Sequence, residues 1–262
     1  MQNAGIAALG LNWRYVAFDV PPDHLREVLA GAKRMGFVGV NLTVPHKLLA
    51  LEMVDILDDS AKIWGAVNTV RFETDATGKV LARGFNTDAD AVVRSLQEDL
   101  GAKLCGARVL LLGAGGAGRT AALKLAKEGV GELFLVNRTR SKAEQIATEI
   151  RAQFSAVTVS VDYPKGEVDL VLNATSLGLK PEDGLPFDEK VFSLKQAAAA
   201  YDMIYRPAET PFLKAARAAG CKTANGLGML LYQGAKALEI WSGKTAPVSV
   251  MRAALEANIY GH

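Results

Sequence analysis

The stretch that most constrains this chain is Arg108-Val109-Leu110-Leu111-Leu112, followed at once by Gly113-Ala114-Gly115-Gly116-Ala117-Gly118. A continuous apolar run is what a parallel strand covered on both faces requires. Glycines in the G-x-G-x-x-G spacing at the end of such a strand, with a helical pattern over Arg119–Lys127 beyond, have separable tasks. Gly113 permits the tight turn, Gly115 lets backbone approach a pyrophosphate, and Gly118 lets helix and strand pack closely. The helix amino terminus then offers free N–H groups and the positive end of its dipole to phosphate. A plain strand-to-helix turn is the bland alternative, and the position of the glycines between strand and helix argues against it.

The next strand, Leu133–Val136, bears on which nucleotide fits. An NAD site carries Asp or Glu about 20 residues past the glycines, bonded to the ribose 2′-hydroxyl. Here the strand ends Asn137-Arg138-Thr139-Arg140, followed by Ser141 and Lys142, with no carboxylate at its tip. A guanidinium offers a planar fork to a phosphate dianion. The pattern predicts NADP, held through its 2′-phosphate. An exposed basic turn is the competing explanation, and the glycine loop upstream argues against it.

Strand-like and helix-like patterns alternate along most of the chain, so the expected class is α/β. The expected strands are Arg14–Phe18, Phe37–Leu42, Val67–Phe72, Val80–Phe85, Arg108–Leu112, Leu133–Val136, Val157–Val161, Asp169–Leu172 and Ala199–Met203. Helices are expected from Pro22 to about Met35, from Pro45, over Asp88–Leu100 and Arg119–Lys127, and in two closing stretches, Met229–Trp241 and Pro247 to about Ile259. A length of 262 residues suits two modest domains. We place a substrate domain at 1–100, rejoined by C-terminal helices at about 240–262, and a nucleotide-binding Rossmann-type domain at 101–239.

Composition removes other classes. Half the residues are hydrophobic and 22% are charged, a soluble globular balance. A net charge of +2 points to neither nucleic acid nor membrane. No apolar run reaches the length of a membrane span. Cys105 and Cys221 stand far apart without metal-ligand spacing, and the three histidines do not cluster, so no metal is expected. Idle thiols and an N-terminus without signal-peptide features fit a cytoplasmic enzyme.

Three segments leave a strand or approach a helix with polar residues at the junction. In Asn41-Leu42-Thr43-Val44-Pro45-His46-Lys47, Pro45 suits the first helical position and puts Lys47 in the first turn. The helix dipole disfavours a cation there, which favours the neutral amine that proton transfer needs. Read alone, Lys47 is a solvated surface lysine. Asp88, in Gly84-Phe85-Asn86-Thr87-Asp88, reads alone as a helix N-cap. Asn68, in Gly65-Ala66-Val67-Asn68-Thr69, reads alone as a turn or strand-edge amide.

Together these segments closely resemble the substrate-domain motifs of shikimate dehydrogenases. The resemblance continues through Gly113–Gly118, Asn137-Arg138-Thr139, Asn173-Ala174-Thr175-Ser176, Tyr205-Arg206-Pro207-Ala208-Glu209-Thr210-Pro211 and Gly226-Leu227-Gly228-Met229-Leu230 with Gln233. The segments follow the family's order over nearly the whole chain. The resemblance implies two domains flanking a cleft, a small-molecule substrate, and NADP-dependent interconversion of shikimate and 3-dehydroshikimate on the route to aromatic amino acids. It implies Lys47 and Asp88 as the catalytic pair, with Thr43, Asn68, Tyr205 and Gln233 bonding substrate hydroxyls. On the cofactor side it implies Gly113 to Ala117 and Asn137 to Lys142, with Met203 and Gly226 near the nicotinamide and Asp59 as a further cofactor residue. Met203 read alone is simply core.

The chain departs from the family pattern in two places. Ala89-Asp90-Ala91 follows Asp88 where the family more often has glycines. Met1-Gln2-Asn3-Ala4 resembles the stretch just after a family strand and Ser-containing loop that hold the substrate carboxylate, so the expectation is a native segment upstream of the sequence given. The rival readings are a quinate or dual-specificity dehydrogenase and a non-catalytic NADP-binding paralogue. A glutamyl-tRNA reductase needs a nucleophilic cysteine in its substrate domain, and residues 1–100 contain none. The expected assembly is a monomer or homodimer.

Overall fold

The computed structural model describes residues 1–180 and 182–261. The chain divides into two compact units, Met1–Asp88 with Leu231–His262, and Ala89–Leu230. The first division falls after the leading residue of a helix and the second falls inside another.

In the first unit, helix α1 (Gln2–Ala8) precedes α2 (Leu25–Arg34), strand β1 (Gly39–Asn41), the single turn α3 (His46–Leu49), β2 (Ile56–Leu57), α4 (Asp59–Trp64), β3 (Thr69–Thr74) and β4 (Val80–Phe85). Helix α5 (Asp88–Leu100) begins at this unit's last residue. The sheet order is β1-β3-β4-β2, with β3 antiparallel to both β1 and β4 and β2 parallel to β4. Leu25, Leu29 and Ala32, one helical face of α2, join Ala50, Ala61, Val67, Val70 and Ala82 in the core. Val28, one residue from Leu29 on the same helix, is exposed.

Residues 14–18 form no strand. The reason lies in their hydrogen bonds. Asn3 donates from Nδ2 to Tyr15 O at 2.9 Å and accepts from Tyr15 N at 2.8 Å. One side-chain amide thus satisfies both backbone groups that a neighbouring strand would otherwise pair.

In the second unit, β5 (Arg108–Leu112), α6 (Gly116–Lys127), β6 (Glu132–Val136), α7 (Arg140–Gln153), β7 (Thr158–Ser160), β8 (Val168–Asn173), β9 (Ala197–Asp202), α8 (Pro211–Ala218) and β10 (Lys222–Asn225) alternate. The all-parallel order β10-β9-β8-β5-β6-β7 is the doubly wound arrangement of dinucleotide-binding sheets. The order in which strands are added reverses beside β5, the strand that carries the glycine loop. Leu110, Leu112, Val171, Ala200, Phe192 and Phe212 lie within its core. Helix α9 (Leu227–Ser242) leads back into the first unit, where α10 (Val248–Tyr260) packs on α1. No described helix is long and apolar enough to cross a membrane.

The helix after the glycines begins at Gly116, three residues before the expected Arg119, with Gly115 as its N-cap. Glycine is a poor helix interior residue, but the first turn has no intrahelical bonds to its N–H groups in any case. Cys221 is buried, its thiol pushed up by desolvation, and Cys105 is exposed.

Candidate functional site

The first unit gathers its polar residues where β3 and β4 meet short helices. Lys47 Nζ lies 2.9 Å from Asp88 Oδ2. The lysine side chain is 27% exposed and the aspartate 13%, so the pair is shielded yet reachable. Pro45 proves to be the N-cap of α3, one residue ahead of its expected place, and Lys47 remains in the first turn. Four residues develop little macrodipole, so the carboxylate beside it, rather than the helix, supplies the main field at the amine.

Asp88 opens α5 but does not cap it with its own side chain. Asn86 Oδ1 accepts from Asp88 N at 3.0 Å, and Asn86 Nδ2 donates to Ala66 O at 3.0 Å. The task that sequence assigns by default to Asp88 therefore falls on Asn86, leaving the Asp88 carboxylate for Lys47 and Asn68. Asn68 Nδ2 donates to Asp88 Oδ1 at 2.9 Å and to Thr87 Oγ1 at 2.9 Å. Its Oδ1 accepts from Thr87 N at 2.9 Å, which fixes the amide orientation. Asn41 Nδ2 bonds Asn68 O and Thr69 Oγ1, and Tyr15 donates to Asn41 Oδ1 at 3.1 Å. Burial pushes the Tyr15 phenol up, keeping it a neutral donor.

Thr43 is exposed on the segment leading to Lys47. Gln233 lies on α9 within the first unit, and Asp59 opens α4 there, paired with Lys62 at 3.0 Å. Tyr205 belongs to the second unit, exposed in the loop after β9. Asn41, Asn86 and Tyr15 were not singled out by sequence. The Asn-x-Asp spacing of Asn86 and Asp88 is a usable signal for an Asx turn, but nothing in the sequence marks Tyr15.

In the second unit the glycines separate into two kinds. Gly113 has φ +105°, and a Cβ there would lie 2.9 Å from the Ala174 backbone. A Cβ on Gly118 would lie 2.1 Å from Gly113 O. Gly115 and Gly116 are exposed, and a Cβ on either would meet no atom within 4 Å. The first two serve packing, and the second two leave an open cradle at the helix amino terminus, the shape a pyrophosphate needs. Asn137 Oδ1 accepts from Ala114 N at 3.0 Å, and its Nδ2 donates to Thr139 O at 2.8 Å, tying the loop to the tip of β6.

Arg138, Thr139, Arg140, Ser141 and Lys142 are all exposed at that tip. Arg140 pairs with Glu144 at 3.0 Å, whereas Arg138 and Lys142 hold no ion pair among the described residues. These two cations are free for an anion. Met203 and Gly226 come together: a Cβ on Gly226 would lie 2.0 Å from Met203 O. No cluster of potential metal ligands occurs among the described residues.

Models for three parts of one family match the chain. The shikimate dehydrogenase substrate binding domain matches residues 1–70, shikimate / quinate 5-dehydrogenase matches 95–178, and the shikimate 5′-dehydrogenase C-terminal domain matches 226–256. The chain is 40% identical to the NADP(+) shikimate dehydrogenase of Methanopyrus kandleri, over 97% of this chain and 89% of that protein. Among solved structures it resembles the Thermus thermophilus shikimate 5-dehydrogenase in complex with NADP(H) and shikimate, at 36% identity and TM-score 0.82, covering 97% of this chain and 91% of that one. It also resembles the ligand-free 5-ketofructose reductase of Gluconobacter sp. strain CHM43, at 38% identity and TM-score 0.84, covering 98% and 92%.

Proposed function

The chain belongs to the shikimate dehydrogenase family, and from that premise we propose that it catalyses the reversible NADP-dependent oxidation of shikimate to 3-dehydroshikimate, in the cytoplasm, as a monomer or homodimer. The observation that carries this reading is the Lys47–Asp88 pair at 2.9 Å, with the second carboxylate oxygen held by Asn68.

Oxidising a secondary alcohol removes a hydride from carbon and a proton from oxygen. Bound at the glycine loop, with Arg138 and Lys142 on its 2′-phosphate, NADP supplies the acceptor for the hydride. Lys47 in its neutral form takes the hydroxyl proton, and the Asp88 carboxylate offsets the ammonium charge that results. In the reverse direction the ammonium returns that proton to the carbonyl oxygen. Thr43, Tyr205 and Gln233 read the remaining hydroxyls, because a polar site left unmatched discriminates strongly against the wrong ligand. Asn68, expected among them, is buried with its amide hydrogens and oxygen taken by Asp88, Thr87 and Thr69, and serves instead to aim the Asp88 carboxylate.

A dehydrogenase of broader specificity, accepting quinate or a related polyol, is the second reading. The 5-ketofructose reductase favours it, since that protein matches this chain as fully as the shikimate dehydrogenase structures do. Product analysis separates the two. Incubation with NADP and shikimate should yield NADPH and 3-dehydroshikimate in equal amounts. Turnover of quinate or another polyol at a rate comparable to that of shikimate favours the second reading.

A further inference from the structure

One carboxylate of the second unit is fully buried and has no part in the chemistry described so far. Asp202 ends β9 at 0% exposure. Its Oδ2 accepts from Thr210 Oγ1 at 2.6 Å, and its Oδ1 accepts from Ile204 N at 3.0 Å and Asn173 Nδ2 at 3.0 Å. The three donors come from three different segments: the end of β8, the loop after β9 and the start of α8. The Asn173 amide cannot turn around, because its Oδ1 already accepts from Thr175 N at 3.0 Å and Thr175 Oγ1 at 2.8 Å. Thr210 Oγ1 also accepts from Leu213 N at 3.2 Å, the N-cap bond of α8. Asp202 is therefore the common acceptor around which these segments are arranged.

The segments so held line the nucleotide loop. Asn173 leads into Ala174 and Thr175, whose atoms lie about where a Cβ on Gly113 would sit, at 2.9 to 3.0 Å. Asn173 O also accepts from Met203 N at 2.9 Å. On the other side, Ile204 O accepts from Gly226 N at 3.1 Å, and Gly226 packs on the Met203 carbonyl. A shift of Asp202 would move both the wall behind Gly113 and the Met203–Gly226 pair. It would leave Asn137 and Arg138 at the tip of β6 untouched.

We propose that Asp202 is a positioning residue for the cofactor, holding Asn173–Thr175 against Gly113 and Met203 against Gly226 so that the nicotinamide half of a dinucleotide is seated. This rests on the NADP reading above. The test compares equilibrium binding of NADPH and of 2′,5′-ADP, which carries the adenosine half alone, to the native chain, Asp202→Ala and Asp202→Asn. Removing the acceptor strands buried donors, so Asp202→Ala should weaken NADPH about tenfold or more while 2′,5′-ADP stays within about threefold. Asp202→Asn keeps one acceptor oxygen and should hold NADPH within about threefold. A merely structural role would weaken both ligands alike or neither, and either result overturns the proposal. If Asp202→Ala does not fold, Thr210→Val removes one of the three donors and should show the same preferential loss of NADPH; equal losses overturn it. A native chain that binds neither ligand overturns the proposal together with the cofactor reading, whereas normal native binding with no split in the variants overturns the proposal alone.

Discussion

Asn68 Nδ2 lies 2.9 Å from Asp88 Oδ1, while Lys47 Nζ lies 2.9 Å from Asp88 Oδ2, so one carboxylate divides its oxygens between a neutral amide and an amine. Asn68 is 2% exposed and its carbonyl side is fully engaged by Thr87 and Thr69. The amide cannot rotate away without stranding buried donors, at a cost of roughly 1–3 kcal/mol. The carboxylate is thereby aimed before substrate arrives, which is how a proton-transfer group acquires its geometry.

That arrangement predicts the behaviour of the pair under mutation. Lys47→Ala and Asp88→Ala should each lower kcat by roughly 10²-fold or more, the range lost with a positioned acid or base. The double variant should be little worse than the worse single one, because the two act as a unit. NADP affinity should barely change, since neither residue is assigned to the cofactor. Steady-state kinetics with cofactor titrations check all three, and near-normal turnover in Lys47→Ala would remove the lysine from the chemistry.

The free cations at the tip of β6 predict cofactor choice. Arg138→Ala should weaken NADPH by about tenfold or more, the loss of a charge-assisted phosphate contact, and leave NADH nearly unchanged. Arg140→Ala should matter less, because that guanidinium already faces Glu144. Calorimetric titration of both cofactors reads the difference, and equal losses for NADPH and NADH would contradict a 2′-phosphate role.

Asp202 predicts a pH signature in stability. Burial pushes its carboxyl up to about 6, from an ordinary value of 3.8, against the pull of its hydrogen bonds from Thr210, Ile204 and Asn173. Between those values the folded state binds a proton that the unfolded state releases. This site's contribution to stability therefore rises as pH falls from about 6 towards 4, and is flat above. Relative to Asp202→Asn, the native chain should gain on the order of 2 kcal/mol on going from pH 7 to pH 4.5. Asp55 and Glu73, held below the ordinary range mainly by hydrogen bonds from Lys33 and Arg71, act in the opposite sense in both chains and cancel in the comparison. Urea denaturation at both pH values measures the gain, and a parallel pH dependence in the two chains would contradict it.

The second unit was legible because its signals are local. The Val109–Leu112 run, the glycines beyond it and the basic tip after Val136 lie within one strand–helix–strand stretch, and β5 and α5 fall on their expected bounds. The ends of the first unit were harder. Residues 14–18 carry a strand pattern, yet Asn3 takes the place of a strand partner for Tyr15, a contact no local pattern encodes. Strand β2 has two residues and α3 has four, too few to establish a period. Lys47 and Asp88 each read alone as ordinary surface or capping residues. Only folding brings them together across 41 positions, and only Asn86 explains why Asp88 is spared the cap.

The central claim is that this chain oxidises shikimate with NADP, and parallel initial rates test it most directly. NADPH formation should be followed at fixed NADP with shikimate and with quinate, and NADH formation at fixed shikimate with NAD in place of NADP. The account predicts that kcat/KM for shikimate exceeds that for quinate, and that for NADP exceeds that for NAD, each by about tenfold or more, the scale of discrimination that matched polar and charged contacts provide. No NADPH formed from shikimate, or a preference for NAD, would contradict it.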